Sequence, residues 1–98
     1  STPSVAVGGA AGSNGTVSIS GNDTSGTIAV NTGVGAGNGL LVSVTFVQKY
    51  GATPHIVVTP VGRPVPGMYI NRTSAGFTIS VDGALPPAGH AFDYIVME

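Results

Sequence analysis

Cysteine, tryptophan and charged side chains are missing or scarce in this chain: of its 98 residues, none is Cys or Trp and 7% are charged. Without cysteine, no disulfide or thiolate metal site can support the modest core of a domain this small. Three Lys and Arg residues and a net charge of −1 leave no basic patch of the kind that nucleic acid requires. We therefore expect one domain with no nucleic-acid partner.

Long hydrophobic runs are also missing from the sequence. No stretch approaches the roughly 20 apolar residues of a membrane-spanning helix. Residues 1–15 are rich in Gly, Ser and Ala and lack the basic start of a signal peptide. We expect no membrane insertion.

The low proportion of charged residues bears on whether the surface of the chain is covered by partner chains. A small soluble domain carries roughly a quarter charged residues, whereas Asp23 is the only charged residue among the first 48 here. Charged residues are depleted in the cores of protein interfaces. The sequence therefore favours a homo-oligomer or a protein that works outside the cell.

Glycine, proline and β-branched residues dominate what is present. Sixteen Gly and seven Pro disfavour helices, whereas Val, Ile and Thr favour strands. Short segments of alternating apolar and polar residues, separated by turn residues, predict an all-β fold, namely an antiparallel β-sandwich of about six to seven strands or a partly closed barrel. The predicted strands are 16–20, 27–31, 40–47, 55–61, 68–72, 77–81 and 90–97.

Residues 16–98 form the predicted sandwich domain. Residues 1–15 are interpreted as a linker, with a short edge strand at Ser4–Val7 as the alternative. The runs 40–47 and 55–61, joined by residues 48–54, are predicted to pair as a hairpin at the centre of the sheet core. The pair 16–20 and 27–31 is predicted to form a second hairpin around an Asn-Asp turn.

Five apolar residues fall on the outward side of the predicted strands. One explanation is a contact between identical subunits around a symmetry axis. The other is a second layer of the same sandwich. These residues are Leu41, Val47, Val57, Ile95 and Met97.

The sequence contains no recognisable catalytic motif, so we expect that this protein is not an enzyme. The carboxylates and the two histidines are scattered and predict neither a triad nor a metal site, and no cofactor is implied. The candidate ligand contacts are Arg63, Tyr69, Arg72 and His90, because an outward tyrosine near arginines can stack on a sugar ring. The alternatives are arginines that bond carbonyl groups of a neighbouring chain and a His90 that lies at a surface or subunit contact.

The order of motifs resembles a known family. The stretches GNDTSGTIAVNTG, LLVSVTF, KYGATPHIVVTPVG, MYINRTSAGFTISV and FDYIVM look like the C-terminal β-sandwich module of bacteriophage tail-fibre and prophage surface proteins, with a plan similar to that of H-type lectins. Phe46, Tyr50, Pro54 and Phe77 match positions with structural roles. The resemblance implies a trimeric sandwich.

The resemblance also implies a function in attachment. We expect the distal head domain of a trimeric fibre protein, located outside the cell or on a virion surface, that binds a cell-surface receptor, either a glycan or a protein. One alternative is a structural module that trimerises or caps a fibre. The other is a carbohydrate-binding module of a secreted hydrolase.

Overall fold

The computed structural model describes residues 2–12, 15–33, 37–62, 65, 67–83 and 89–97. These residues form strands and one 3₁₀ turn at Gly9–Ala11, which confirms the all-β prediction. Eight strands lie in the described part, more than the six to seven expected. They are β1 (Ser4–Val7), β2 (Thr16–Gly21), β3 (Ser25–Asn31), β4 (Gly39–Thr45), β5 (His55–Val61), β6 (Met68–Thr73), β7 (Gly76–Val81) and β8 (Gly89–Met97).

The strands form two antiparallel sheets of four strands each. The first sheet has the order β1-β4-β7-β6 and the second sheet has the order β2-β3-β8-β5. Their inner faces meet in one core, where the rings of Phe77 in the first sheet and Tyr94 in the second lie 5.5 Å apart. This arrangement agrees with the predicted antiparallel β-sandwich.

Two pairs of consecutive strands form hairpins, β2 with β3 and β6 with β7. β2 and β3 pair as predicted, and β6 pairs with β7 through a tight turn. In the first turn, the Asn22 side-chain oxygen accepts hydrogen bonds from the backbone N–H groups of Thr24 and Ser25, each at 2.9 Å. This is the local bonding that makes asparagine a turn residue.

The predicted hairpin between residues 40–47 and 55–61 is wrong. β4 lies in the first sheet between β1 and β7, whereas β5 lies at the edge of the second sheet and pairs only with β8 among the described strands. Pro60 fits this edge position, since proline has no N–H to donate to a second neighbour. Val44 and Ile56 nevertheless point into the core, on the face that the alternation of apolar and polar residues in each run assigns inward.

The outward orientation predicted for Leu41 is also wrong. The register between β4 and β7 shifts between Leu40 and Val42. A β-bulge of this kind breaks the alternation of side chains. Leu41 is consequently fully buried next to the buried Val42, and Leu40 takes the exposed position at 42%.

The N-terminal residues contribute to the sandwich. β1 pairs with β4, which is the edge-strand alternative considered for Ser4–Val7. Ala10 and Ala11 are buried in the core, and the Ala11 carbonyl accepts a hydrogen bond from the Gly33 N–H at 2.7 Å. Residues 4–11 therefore pack against the sheets.

Candidate functional site

The structure does not bring the predicted ligand residues together. Tyr69 is 49% exposed on the outer face of the first sheet, and Arg72 follows it by three residues and so lies on the other face of β6. His90 belongs to the second sheet and is only 3% exposed, which corrects its predicted place at a surface or contact. Arg63 lies outside the described residues.

Arg72 has a partner within its own chain. Its guanidinium Nη1 donates a hydrogen bond to the Pro54 carbonyl at 2.9 Å and lies 3.4 Å from Nδ1 of His55. Because β6 and β5 are edge strands of different sheets, Arg72 connects the two sheets along one side of the sandwich. This geometry explains Arg72 without a ligand.

Three of the predicted outward apolar residues are neighbours on the second sheet. Val57 lies directly opposite Ile95 across the β5–β8 pair, and Met97 follows Ile95 by two residues on the same outer face. Val57, Ile95 and Met97 are each about half exposed, at 50%, 51% and 51%. We call these three residues the apolar patch.

The other predicted members lie elsewhere. Val47 is 53% exposed as expected but follows β4, where it lines a depression with the turn residues Asn22 and Thr24. Leu41 is in the core. The outward direction was thus correct for Val47 and for the apolar patch, while the role of these residues in an interface stays a prediction.

A polar row borders the apolar patch. Asp93 lies two residues before Ile95 on the same face and accepts a hydrogen bond from the Thr27 hydroxyl at 2.8 Å. Thr59 lies opposite Asp93 on β5. The outer face of the second sheet therefore changes from apolar to polar within two residues.

The outer face of the first sheet carries a different feature. A groove of about 190 Å³ lies over β4, β7 and β6. Its lining includes two apolar residues, Ala75, which is exposed, and Phe77, whose ring points into the core. We call it the hydroxyl groove after its polar lining residues, which are Ser43, Thr45, Asn71, Thr73 and Thr78.

The register of β7 with its neighbours β4 and β6 aligns polar residues of the hydroxyl groove. Ser43, Thr78 and Asn71 lie side by side on neighbouring strands. Within the described ranges these three side chains have no hydrogen-bond partner in the chain. Tyr69 lies two residues from Asn71 on the same face, about 7 Å along the strand.

Charge is absent from the lining of the hydroxyl groove. Sequence reasoning considered Tyr69 but missed its polar neighbours on β4 and β7. The sequence does show polar residues at every second position of these strands. This pattern does not indicate a binding site, because any strand with one face in solvent shows the same alternation.

One ionisable group has a shifted pKa. Burial raises the pKa of the Tyr94 hydroxyl above its usual value of 10.0, and the charges of Asp23 and Tyr50 raise it further. The Tyr94 hydroxyl donates a hydrogen bond to the Asn22 carbonyl at 2.6 Å. Tyr94 therefore stays protonated and links β8 to the turn between β2 and β3.

A metal cluster and a membrane-spanning helix are both absent from the described residues. They contain no group of three or more His, Asp or Glu side chains placed to hold a metal ion. They also contain no helix of the length and apolarity needed to cross a membrane.

Comparison with known proteins gives no relative. No family model matches the chain, and neither a curated protein nor a solved structure matches it. The resemblance to fibre modules therefore stays a prediction.

Proposed function

We propose that this chain is a non-enzymatic binding module that forms a homotrimer through the apolar patch. In this proposal it is the distal head of a trimeric fibre protein, exposed outside the cell or on a virion, and attaches to a receptor on a host cell, with glycan as the receptor class. The apolar patch is the single observation that supports the proposal most directly. Half-exposed Val57, Ile95 and Met97 have no covering element among the described residues.

Assembly would remove this apolar surface from water. Burial of apolar area contributes about 25 cal/mol per Å². Three chains that meet at the apolar patch would together bury nine of its side chains, three from each chain. The low charge of the chain favours the same interpretation, because a charged residue in the centre of an interface requires a partner.

The test of assembly is light scattering after size exclusion. We expect the purified chain to have the mass of three chains, and Ile95→Asp to shift it to a monomer. A buried, unpaired carboxylate at each interface would weaken assembly by several kcal/mol. Leu40→Asp is the matched control, because Leu40 is similarly exposed but lies on the first sheet, and this variant should stay trimeric.

A monomeric wild-type chain, or a trimer that tolerates Ile95→Asp, would contradict the proposal. Binding of the trimer to whole cells then separates two functions. Cell binding supports attachment. A stable trimer that binds no cell supports a structural module that trimerises or caps a fibre, which the apolar patch alone would also serve.

A further inference from the structure

We propose that the hydroxyl groove on the outer face of the first sheet is a binding site for an uncharged carbohydrate, with Tyr69 at its margin. The proposal rests on the function proposed above and names the place and chemistry of the receptor contact. It differs from the ligand site expected from the sequence, which combined Tyr69 with Arg63, Arg72 and His90.

The hydroxyl groove offers hydrogen-bonding groups that the described part of the chain does not use. Ser43, Thr78 and Asn71 present two hydroxyls and one amide in a line across three strands. Ser43 and Thr78 are half-buried, and none of the three side chains bonds to another described part of the chain. Hydroxyl and amide groups both donate and accept, as sugar hydroxyls do.

The hydroxyl groove is uncharged. The lining of the groove contains no ionisable side chain. An anionic sugar would lose hydration there without meeting a cation, whereas a neutral sugar would exchange water for hydroxyls and an amide. The groove is therefore complementary to an uncharged ligand.

The size and the apolar contacts of the hydroxyl groove suit a sugar ring. A volume of about 190 Å³ is below the roughly 300–1,000 Å³ of pockets for drug-sized ligands, which suits one ring of a longer glycan. Threonine methyls and Ala75 offer contact for the C–H groups of that ring. Tyr69, 49% exposed on the same face as Asn71, offers an aromatic surface for a neighbouring ring.

The groove stays accessible in the proposed assembly. The apolar patch lies on the outer face of the second sheet, on the opposite side of the sandwich. A trimer formed through the patch would present three grooves outward. Multivalent display compensates for the weak affinity expected of one open site.

The test begins with an array of uncharged oligosaccharides beside sialylated and sulfated ones, probed with the wild-type protein. We expect binding to uncharged members. Titration of the best one should then show that Ser43→Ala/Thr78→Val weakens binding about tenfold, which is the effect of losing two neutral hydrogen bonds. The matched control is Ser18→Ala/Thr59→Val, which makes the same changes on the second sheet and should keep wild-type affinity.

Backbone amide chemical shifts provide a second measurement that needs no variant. Addition of the same oligosaccharide should move the amide signals of Thr78 and Asn71 more than those of Ser18 and Thr59. Binding restricted to anionic glycans, or affinity that is equal in the groove and control variants, would overturn the proposed site.

Failure of this proposal is distinguishable from failure of the proposed function. If the trimer binds cells but no uncharged oligosaccharide, the groove proposal is wrong and attachment stands. If the chain neither trimerises nor binds cells, the proposed function is wrong, whatever the groove binds.

Discussion

At the scale of single residues, Asp23 joins parts of the chain that are distant in sequence. Its two carboxylate oxygens accept hydrogen bonds from the backbone N–H groups of Val47 and Gln48, each at 3.0 Å. The Tyr50 hydroxyl donates to the Asp23 carbonyl at 2.9 Å. The turn between β2 and β3 is thereby fastened to the segment that follows β4. In the sequence, Asp23 is explained as a turn residue. Its bonds to Val47 and Gln48 were not predictable, because these partners lie 24 and 25 residues away along the chain.

Replacement of Asp23 by Ala should lower the free energy of unfolding by about 1–3 kcal/mol, since two charge-assisted hydrogen bonds are lost. Chemical denaturation measures the change. Asp93→Ala is the control, because Asp93 is exposed and its side chain bonds only to the Thr27 hydroxyl among the described contacts. Its cost should stay below about 1 kcal/mol, and equal costs for both variants would argue against the anchoring role of Asp23.

We expect Tyr94 to make the stability of the fold depend on pH in the alkaline range. Burial first, and then the charges of Asp23 and Tyr50, raise its folded-state pKa above 10.0. The protonated hydroxyl is thus favoured in the folded state. The resulting stabilisation is complete below the unfolded pKa and is lost as pH rises through the folded pKa.

Denaturation at a series of pH values from about 8 to 11.5 should show a fall in stability above about pH 10 for the wild type. Tyr94→Phe should be about 1 kcal/mol less stable at neutral pH, because the bond to the Asn22 carbonyl is lost. Above pH 10 this variant should lose less stability than the wild type does. Tyr69→Phe, at an exposed site, should keep the wild-type pH dependence, and a similar flattening there would contradict the assignment to Tyr94.

At the scale of elements, β4 shows how one bulge reverses two neighbouring side chains. Leu41 fills the core and Leu40 faces solvent, although strict alternation through Val42 and Val44 assigns Leu41 outward. Sequence cannot place such a bulge, because the extra residue is accommodated only when β4 is aligned with β7.

This pair of leucines offers a matched test. Leu41→Ala should reduce the free energy of unfolding by about 2–5 kcal/mol, the range for a large-to-small change in a core. Leu40→Ala should change it by less than about 1 kcal/mol, as an exposed substitution does. The reverse order would mean that β4 keeps a regular register without the bulge.

At the scale of the whole molecule, the two outer faces differ in chemistry. The second sheet presents an apolar patch at one end, and the first sheet presents a groove of hydroxyl and amide groups without charge. In the proposals made above, assembly uses one outer face of the sandwich and recognition uses the opposite one. Ile95→Asp should change the trimer mass and leave the affinity of a single groove for a soluble oligosaccharide unchanged, whereas Ser43→Ala/Thr78→Val should lower that affinity and leave the trimer mass unchanged.

The sequence by itself determined the class of fold, the position of most strands and the inward direction of regularly alternating residues such as Val44 and Ile56. These follow from the period of two and from turn residues, which act over a few neighbouring positions. The outward orientation of Val57, Ile95 and Met97 was also predictable, since it depends only on the alternation of side chains between the two faces of a strand.

Tertiary structure alone decided which strands are neighbours and hence which residues meet. It separated β4 from β5 into two sheets, buried Leu41 and His90, and placed Arg72 against Pro54. It also aligned Ser43, Thr78 and Asn71 into one groove. The physical reason is that pairing between distant strands depends on register and on the fit of two faces, and neither is encoded in the pattern of any one segment.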